Sequence, residues 1–295
     1  MTTAARRRQL TVAVVVLAML PPATPAVDAA ELQAKTAAAF ERYARATERR
    51  LDDRQEPFLY IDRLPGDERQ KTTAALQRGE LFIQRLSTKE NGREIDVDDG
   101  IVHHWIGVVF VPRITLDRAV ALLQDYDRHS QVYAPNVARS KTLARDGDRF
   151  RVYLRFFMKK VVTVVVNSEH EAQFTRDGAD RASSRIRSTR IAEVDDPGTP
   201  EEKELPVGRD SGYLWRLNSY WRFLERDEGV YIQSESVTLT RGIPTGLGWV
   251  VRPFVTSIPR DTLTFTLETT RTALSTAATV RAAAARAAAA RPASE

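Results

Sequence analysis

Few side chains in this chain are able to do chemistry, and they are scattered. There is no Cys among the 295 residues, which excludes thiolate nucleophiles, disulfides and Cys-based zinc sites. His103 and His104 are adjacent in an apolar run (100–112) that reads as a strand. Adjacent strand residues point to opposite faces, so these two cannot chelate one metal together. His129 and His170 stand alone, and neither a metal nor a cofactor is expected. No G-x-S-x-G elbow, Ser-His-Asp order or paired-carboxylate motif appears. Gly246-Leu247-Gly248 lacks the Lys-Ser/Thr of a phosphate loop.

Glu235 is the one carboxylate in a chemically suggestive setting, among Ser234, Ser236 and Thr238 in a strand-like stretch, 230–240. Facing inward and unpaired, it would be a buried acid with a raised pKa, suited to acid/base work. Paired across a hairpin with Arg216 or Arg222, it would be structural. Arg151, Arg155, Arg185, Arg187, Arg190, Arg216 and Arg222 fall on what reads as the outer sheet face. Such a face could meet anionic lipid headgroups, or be a solvated face balanced by Glu169, Glu171 and Glu193.

The elements that must position these groups fall into four parts. Residues 1–29 carry Arg6, Arg7 and Arg8, an apolar stretch of about ten residues, Pro21-Pro22, then small residues up to Ala29. This is the pattern of a cleaved secretory signal, cut near Ala29, and too short for a spanning helix of about 20 apolar residues. A periplasmic or secreted location is expected. Its removal takes away three Arg and Asp28 and lowers the net charge from +5 to +3. So weak a charge does not point to nucleic acid. Residues 30–79 read as a helical extension: 31–54 has high helix propensity, and Asp67 could cap a second helix through Gly79. Residues 80–278 form the main domain, and the Ala-rich 279–295 reads as a low-complexity tail.

Within the main domain, candidate strands lie at 80–87, 100–112, 150–158, 161–174, 183–194, 213–224 and 230–240. A helix, or two short ones, fits 115–133, started by Thr115 or Asp117. The stretch 195–210 reads as an exposed loop. In YLWRLNSYWRFL (213–224) the odd positions Tyr213, Trp215, Leu217, Ser219, Trp221 and Phe223 share a face. A last helix begins near Ser257, with Leu263, Leu267, Thr270 and Leu274 as its stripe.

One strand, short helices, a run of antiparallel strands and a long final helix make the order of the helix-grip fold. The chain resembles the START-like superfamily, which includes bacterial polyketide-cyclase/dehydrase-like and coenzyme-Q-binding proteins. The resemblance covers about 101–274. It is carried by TLDRAVALLQDYDRHSQVYAPNVARSKTL, by GYLWRLNSYWRFLERDEGVYIQSESVTL and by IPTGLGW…PFVTSIPRDTL. Residues 31–79 depart from that pattern. The resemblance implies an α+β fold in which a curved sheet of six to seven antiparallel strands wraps the C-terminal helix. It implies an apolar cavity between them, holding a lipid, isoprenoid or polyketide-like molecule. Trp105, Phe156, Tyr213, Trp215 and Trp221 are then expected to line it. Trp249 and Phe254, in the apolar segment 246–258, would cover its mouth or touch a membrane peripherally; the same segment could be a tight turn and a buried helix start. The cyclase-type alternative would use Glu235 in the same cavity, and a third reading makes the chain an interaction module. No oligomeric state is read from the sequence.

Overall fold

The computed structural model describes residues 30–159, 163–242 and 248–289, and within the last stretch the side chains of 257–277. The leader expected at 1–29, Gly246-Leu247, and the side chains of Trp249 and Phe254 lie outside the described residues.

Eight strands make the main sheet: β1 Phe82–Arg85, β2 Gly100–Pro112, β3 Val137–Asp146, β4 Arg149–Lys159, β5 Thr163–Arg176, β6 Arg181–Asp195, β7 Arg216–Arg226 and β8 Gly229–Arg241. Their spatial order is β1-β2-β8-β7-β6-β5-β4-β3, and the two-residue strand Lys203–Glu204 adds a ninth on β6. All neighbours run antiparallel. Six or seven strands were expected. The extra ones are β3, an edge strand so exposed that it shows no apolar alternation, and the short strand inside the Pro/Gly/Glu-rich loop. The β7–β8 hairpin turns at Asp227-Glu228, both at φ +57°, the geometry that tight hairpins favour.

The helices are α1 Ala34–Asp52, α2 Gly66–Gln77, α3 Leu116–Gln124, α4 His129–Val132 and α5 Gly248–Ala289. Helix α5 begins at Gly248 rather than near Ser257 and runs through Pro253 and Pro259. Each proline removes one N–H from the ladder, a local loss within a 42-residue helix. At α2, Pro65 holds the N-cap position, while Asp67 sits in the first turn and caps nothing. At α3, neither Thr115 nor Asp117 supplies a side-chain cap. The Leu116 N–H donates instead to the Glu225 carboxylate of β7, at 2.6 Å.

Helices α3, α4 and α5 cover one face of the sheet, called inner below. Leu263, Leu267 and Leu274 of α5 join Leu116 and Leu123 of α3 over Val109, Ile232 and Phe223. The helix comes closest at Gly107, where a Cβ would lie 2.5 Å from Leu267 Cδ1. The N-terminal extension does not stand off. Phe40 and Tyr43 of α1 pack on the outer face against Trp215, Val237 and Leu239. Leu59, Ile61 and Leu76 cover Val108, Phe110 and Tyr231. Strands β2 and β8 are thus buried on both sides, which explains the nearly continuous apolar run of β2. Among the described residues no helix is long and apolar enough to cross a membrane.

Candidate functional site

The strand register places the candidate residues without ambiguity. Trp105, Ser236, Ser219 and Ile186 form one row across four strands, all on the inner face. The next row is Gly107, Ser234, Trp221 and Ser184. The row flanking Trp105 in the other direction, on the same inner face, is His103, Thr238 and Leu217. Trp105, Ser219, Ser236, Ile186 and Leu217 are only half-buried, whereas the same strands toward Val109, Ile232 and Phe223 are fully covered by α3 and α5. Small serines stand here at positions that, farther along the same strands, carry the large apolar residues that meet the helix.

Phe156 also lies half-buried on the inner side, edge-on to His170 with ring centroids 6.1 Å apart. Tyr213 is half-buried against Val164, Val166 and Ile191. Trp221 is buried in the inner core and stacks on Phe223. Trp215 is a correction. It precedes the first residue of β7, so the alternation that should carry it inward does not extend that far. It sits with Phe40 and Tyr43 on the outer side, and its indole N–H donates to Asp210 at 2.9 Å. It cannot line a space under α5.

Glu235 is the second correction. It is fully buried, yet it faces away from α5, on the side covered by α1. Arg50 of α1 donates to its Oε1, as does His104 Nε2 at 2.7 Å. An Nε2–H tautomer of His104 leaves Nδ1 to accept the Tyr43 hydroxyl, 2.9 Å away. Burial would raise the Glu235 pKa, but the hydrogen bond from His104 and the charges of Arg50 and Arg222 hold it below the usual carboxylate range. The inward, proton-holding carboxylate of the cyclase-type alternative is therefore not there. Its partners are Arg50 and His104, not the Arg216 of the hairpin; Arg222 contributes charge.

The basic outer face is likewise engaged. Arg187 binds Glu48, which also accepts the Tyr220 hydroxyl at 2.9 Å, and Arg185 binds Asp52. Arg222 donates to the Leu51 and Phe58 carbonyls at the end of α1. Arg155 and Arg190 pair with Glu202 and Glu204 of the 195–210 loop, not with the strand glutamates expected to balance them.

The inner face holds what sequence reasoning overlooked: a set of buried polar groups without partners. Ser184 Oγ, Thr238 Oγ1 and His170 Nδ1 make no hydrogen bond. His170 Nε2 meets Ser168 Oγ at 2.9 Å, and His103 Nε2 meets Thr240 Oγ1 at 3.1 Å. Burial pushes both imidazoles down to about 4, helped at His103 by the charge of Arg85. The alternation of hydroxyls in QSESVTLT (233–240) was the signal that could have revealed this face. A surface hollow of about 520 Å³ lies elsewhere, between α4 and the later turns of α5.

No family model matches the chain, and no curated protein does. Solved structures do. A STAR-related lipid transfer protein from Xanthomonas axonopodis is 18% identical, with 64% of this chain and 98% of that one covered and a TM-score of 0.41. The Zhui aromatase/cyclase from Streptomyces is 12% identical over 59% and 94%, also at 0.41. Human STARD10 is 12% identical over 70% and 80%, again at 0.41. The solved structures similar to this chain include START-superfamily proteins. The helix-grip arrangement itself stands on the topology described above.

Proposed function

We propose that this is an exported protein that binds or carries an apolar small molecule between the inner sheet face and α5. The observation that carries the reading is the half-covered inner patch. Trp105, Ile186, Leu217 and Phe156 present apolar surface beneath the C-terminal helix, next to buried polar atoms that lack partners. Ligand sites are mostly apolar with a few convergent polar groups. Affinity would come mainly from apolar burial, at about 25 cal/mol per Å². Export rests on the leader-like residues 1–29.

Native mass spectrometry of the protein purified from its exported fraction tests both halves. A co-purifying lipid, depleted in Trp105→Ala and removed by solvent extraction, is the expected result. An empty protein that takes up nothing from a lipid panel would overturn the carrier reading. A mature chain that retains residues 1–29 would overturn export by a cleaved signal.

A further inference from the structure

The part of the inner face around Trp105 and Trp221 is free of charge; farther along, Glu193 of β6 lies in register with Val166 and Phe156, and Arg145 of edge strand β3 lies over Phe150. In β2, β8, β7, β6, β5 and β4 the inward positions within 101–111, 230–240, 217–223, 182–186, 168–174 and 150–156 hold no Lys, Arg, Asp or Glu. The outer face of the same strands is rich in charge. Beside this patch, Arg85 is exposed on the edge strand opposite Trp105. In place of charge there is a contiguous set of hydroxyls, Ser184, Ser219, Ser234, Ser236 and Thr238, flanked by the indoles of Trp105 and Trp221. Two of these hydroxyls are buried and unpaired. Buried polar groups are nearly always hydrogen-bonded, so a partner belongs here. A carboxylate or phosphate would lose its hydration on this face and gain no buried counter-ion. A hydroxyl or carbonyl oxygen would satisfy the serines at little desolvation cost.

We propose that the ligand is an uncharged amphiphile bearing hydroxyl or carbonyl oxygen, and that the Ser184/Ser219/Ser234/Ser236/Thr238 face selects it over anionic lipids. This rests on the carrier reading above and names its ligand class.

The test compares two probes with one hydrocarbon chain, oleyl alcohol and oleate, titrated into the delipidated exported protein at pH 7.5. The alcohol is expected to bind at least ten-fold more tightly. In Ser219→Ala/Ser236→Ala the alcohol should weaken by about three- to ten-fold, the worth of one net hydrogen bond, with oleate unchanged. Arg85→Gln should leave the preference intact, and thermal melting of each variant confirms that it is folded. Oleate binding as tightly as the alcohol, or an alcohol affinity indifferent to the serine pair, would overturn the selection while leaving the carrier reading standing. Binding of neither probe, nor of any lipid in the wider panel, would remove the carrier reading itself.

Discussion

Replacing Glu235 by Gln keeps the shape of the side chain and removes its charge. In the native protein the carboxylate is fully buried, and Oε1 accepts from both Arg50 and His104. Arg222 is 8% exposed and feels the same charge, while its own donors are held by the carbonyls of Leu51 and Phe58. Removing one partner of a buried ion pair costs about 3–5 kcal/mol. Arg50 keeps 28% of its side chain in solvent and can partly rehydrate, which places Glu235→Gln near the lower end, about 3 kcal/mol. Glu235→Ala adds a cavity and should cost about 5 kcal/mol. Urea unfolding at pH 7 measures both as a lowered midpoint at constant slope. The pH dependence gives a sharper test. The folded pKa lies below the ordinary value of 4.5, so the stabilisation is complete above 4.5 and is lost as pH falls through the folded pKa. Glu235→Gln has no such contribution to lose. Its stability curve should therefore converge on the wild-type curve below pH 4.5. Equal stability at pH 7, or parallel curves down to pH 3, would refute the reading of this group as the electrostatic anchor of α1.

The buried histidines act in a higher window. His103, His129 and His170 are held at about 4 in the folded chain against an ordinary 6.5, so the unfolded chain takes up protons that the folded one refuses. Stability should fall between pH 6.5 and 4, by up to about 3 kcal/mol per histidine, and His170→Gln should remove one proton from that slope. Gly107→Ala puts a methyl 2.5 Å from Leu267 Cδ1 and 3.2 Å from the Phe82 carbonyl oxygen. Overpacking of this kind should cost about 1–3 kcal/mol, read as a lower Tm. Trp215→Ala should cost about 3–5 kcal/mol of stability and leave lipid affinity unchanged, whereas Trp105→Ala should weaken binding with a smaller effect on folding. Equilibrium unfolding and lipid titration on both variants separate the two roles.

The strands were legible where one face is apolar and the other polar, as in β4 with Phe150, Val152 and Leu154 facing inward. Edge strand β3 was not, because water on most of its surface removes the selection for alternation. Trp215 misled because alternation was extended one residue past the start of β7, where Arg216 begins the ladder and Gly212 has just turned the chain at φ +75°. Glu235 misled for another reason. A strand buried on both sides gives no sequence sign of which side carries the ligand, and the helix that buries the second side lies 185 residues away at Arg50. The acids Glu48 and Asp52 in α1, spaced to share a helix face, are the trace of that contact in the sequence.

The two faces of this sheet solve opposite problems. On the outer face, α1 arrives with its own charges, so Arg185, Arg187 and the fully buried Glu235 can pair with Asp52, Glu48 and Arg50. Charge there is tolerable because each ion has a side chain of opposite charge positioned to meet it. On the inner face, α5 presents Leu263, Leu267 and Thr270 at the positions that pack. A strand such as β8 must serve both sides at once, which its period of two allows: Gln233 and Glu235 turn outward, while Ser234, Ser236 and Thr238 turn inward. A one-residue slip in β8 would carry Glu235 under α5 without a counter-ion and Ser236 under α1 against Arg50. The buried Glu235–Arg50–His104 contact thus fixes the register that keeps this part of the inner face uncharged, and the neutrality of the proposed ligand site follows from the same residues that anchor the N-terminal helix.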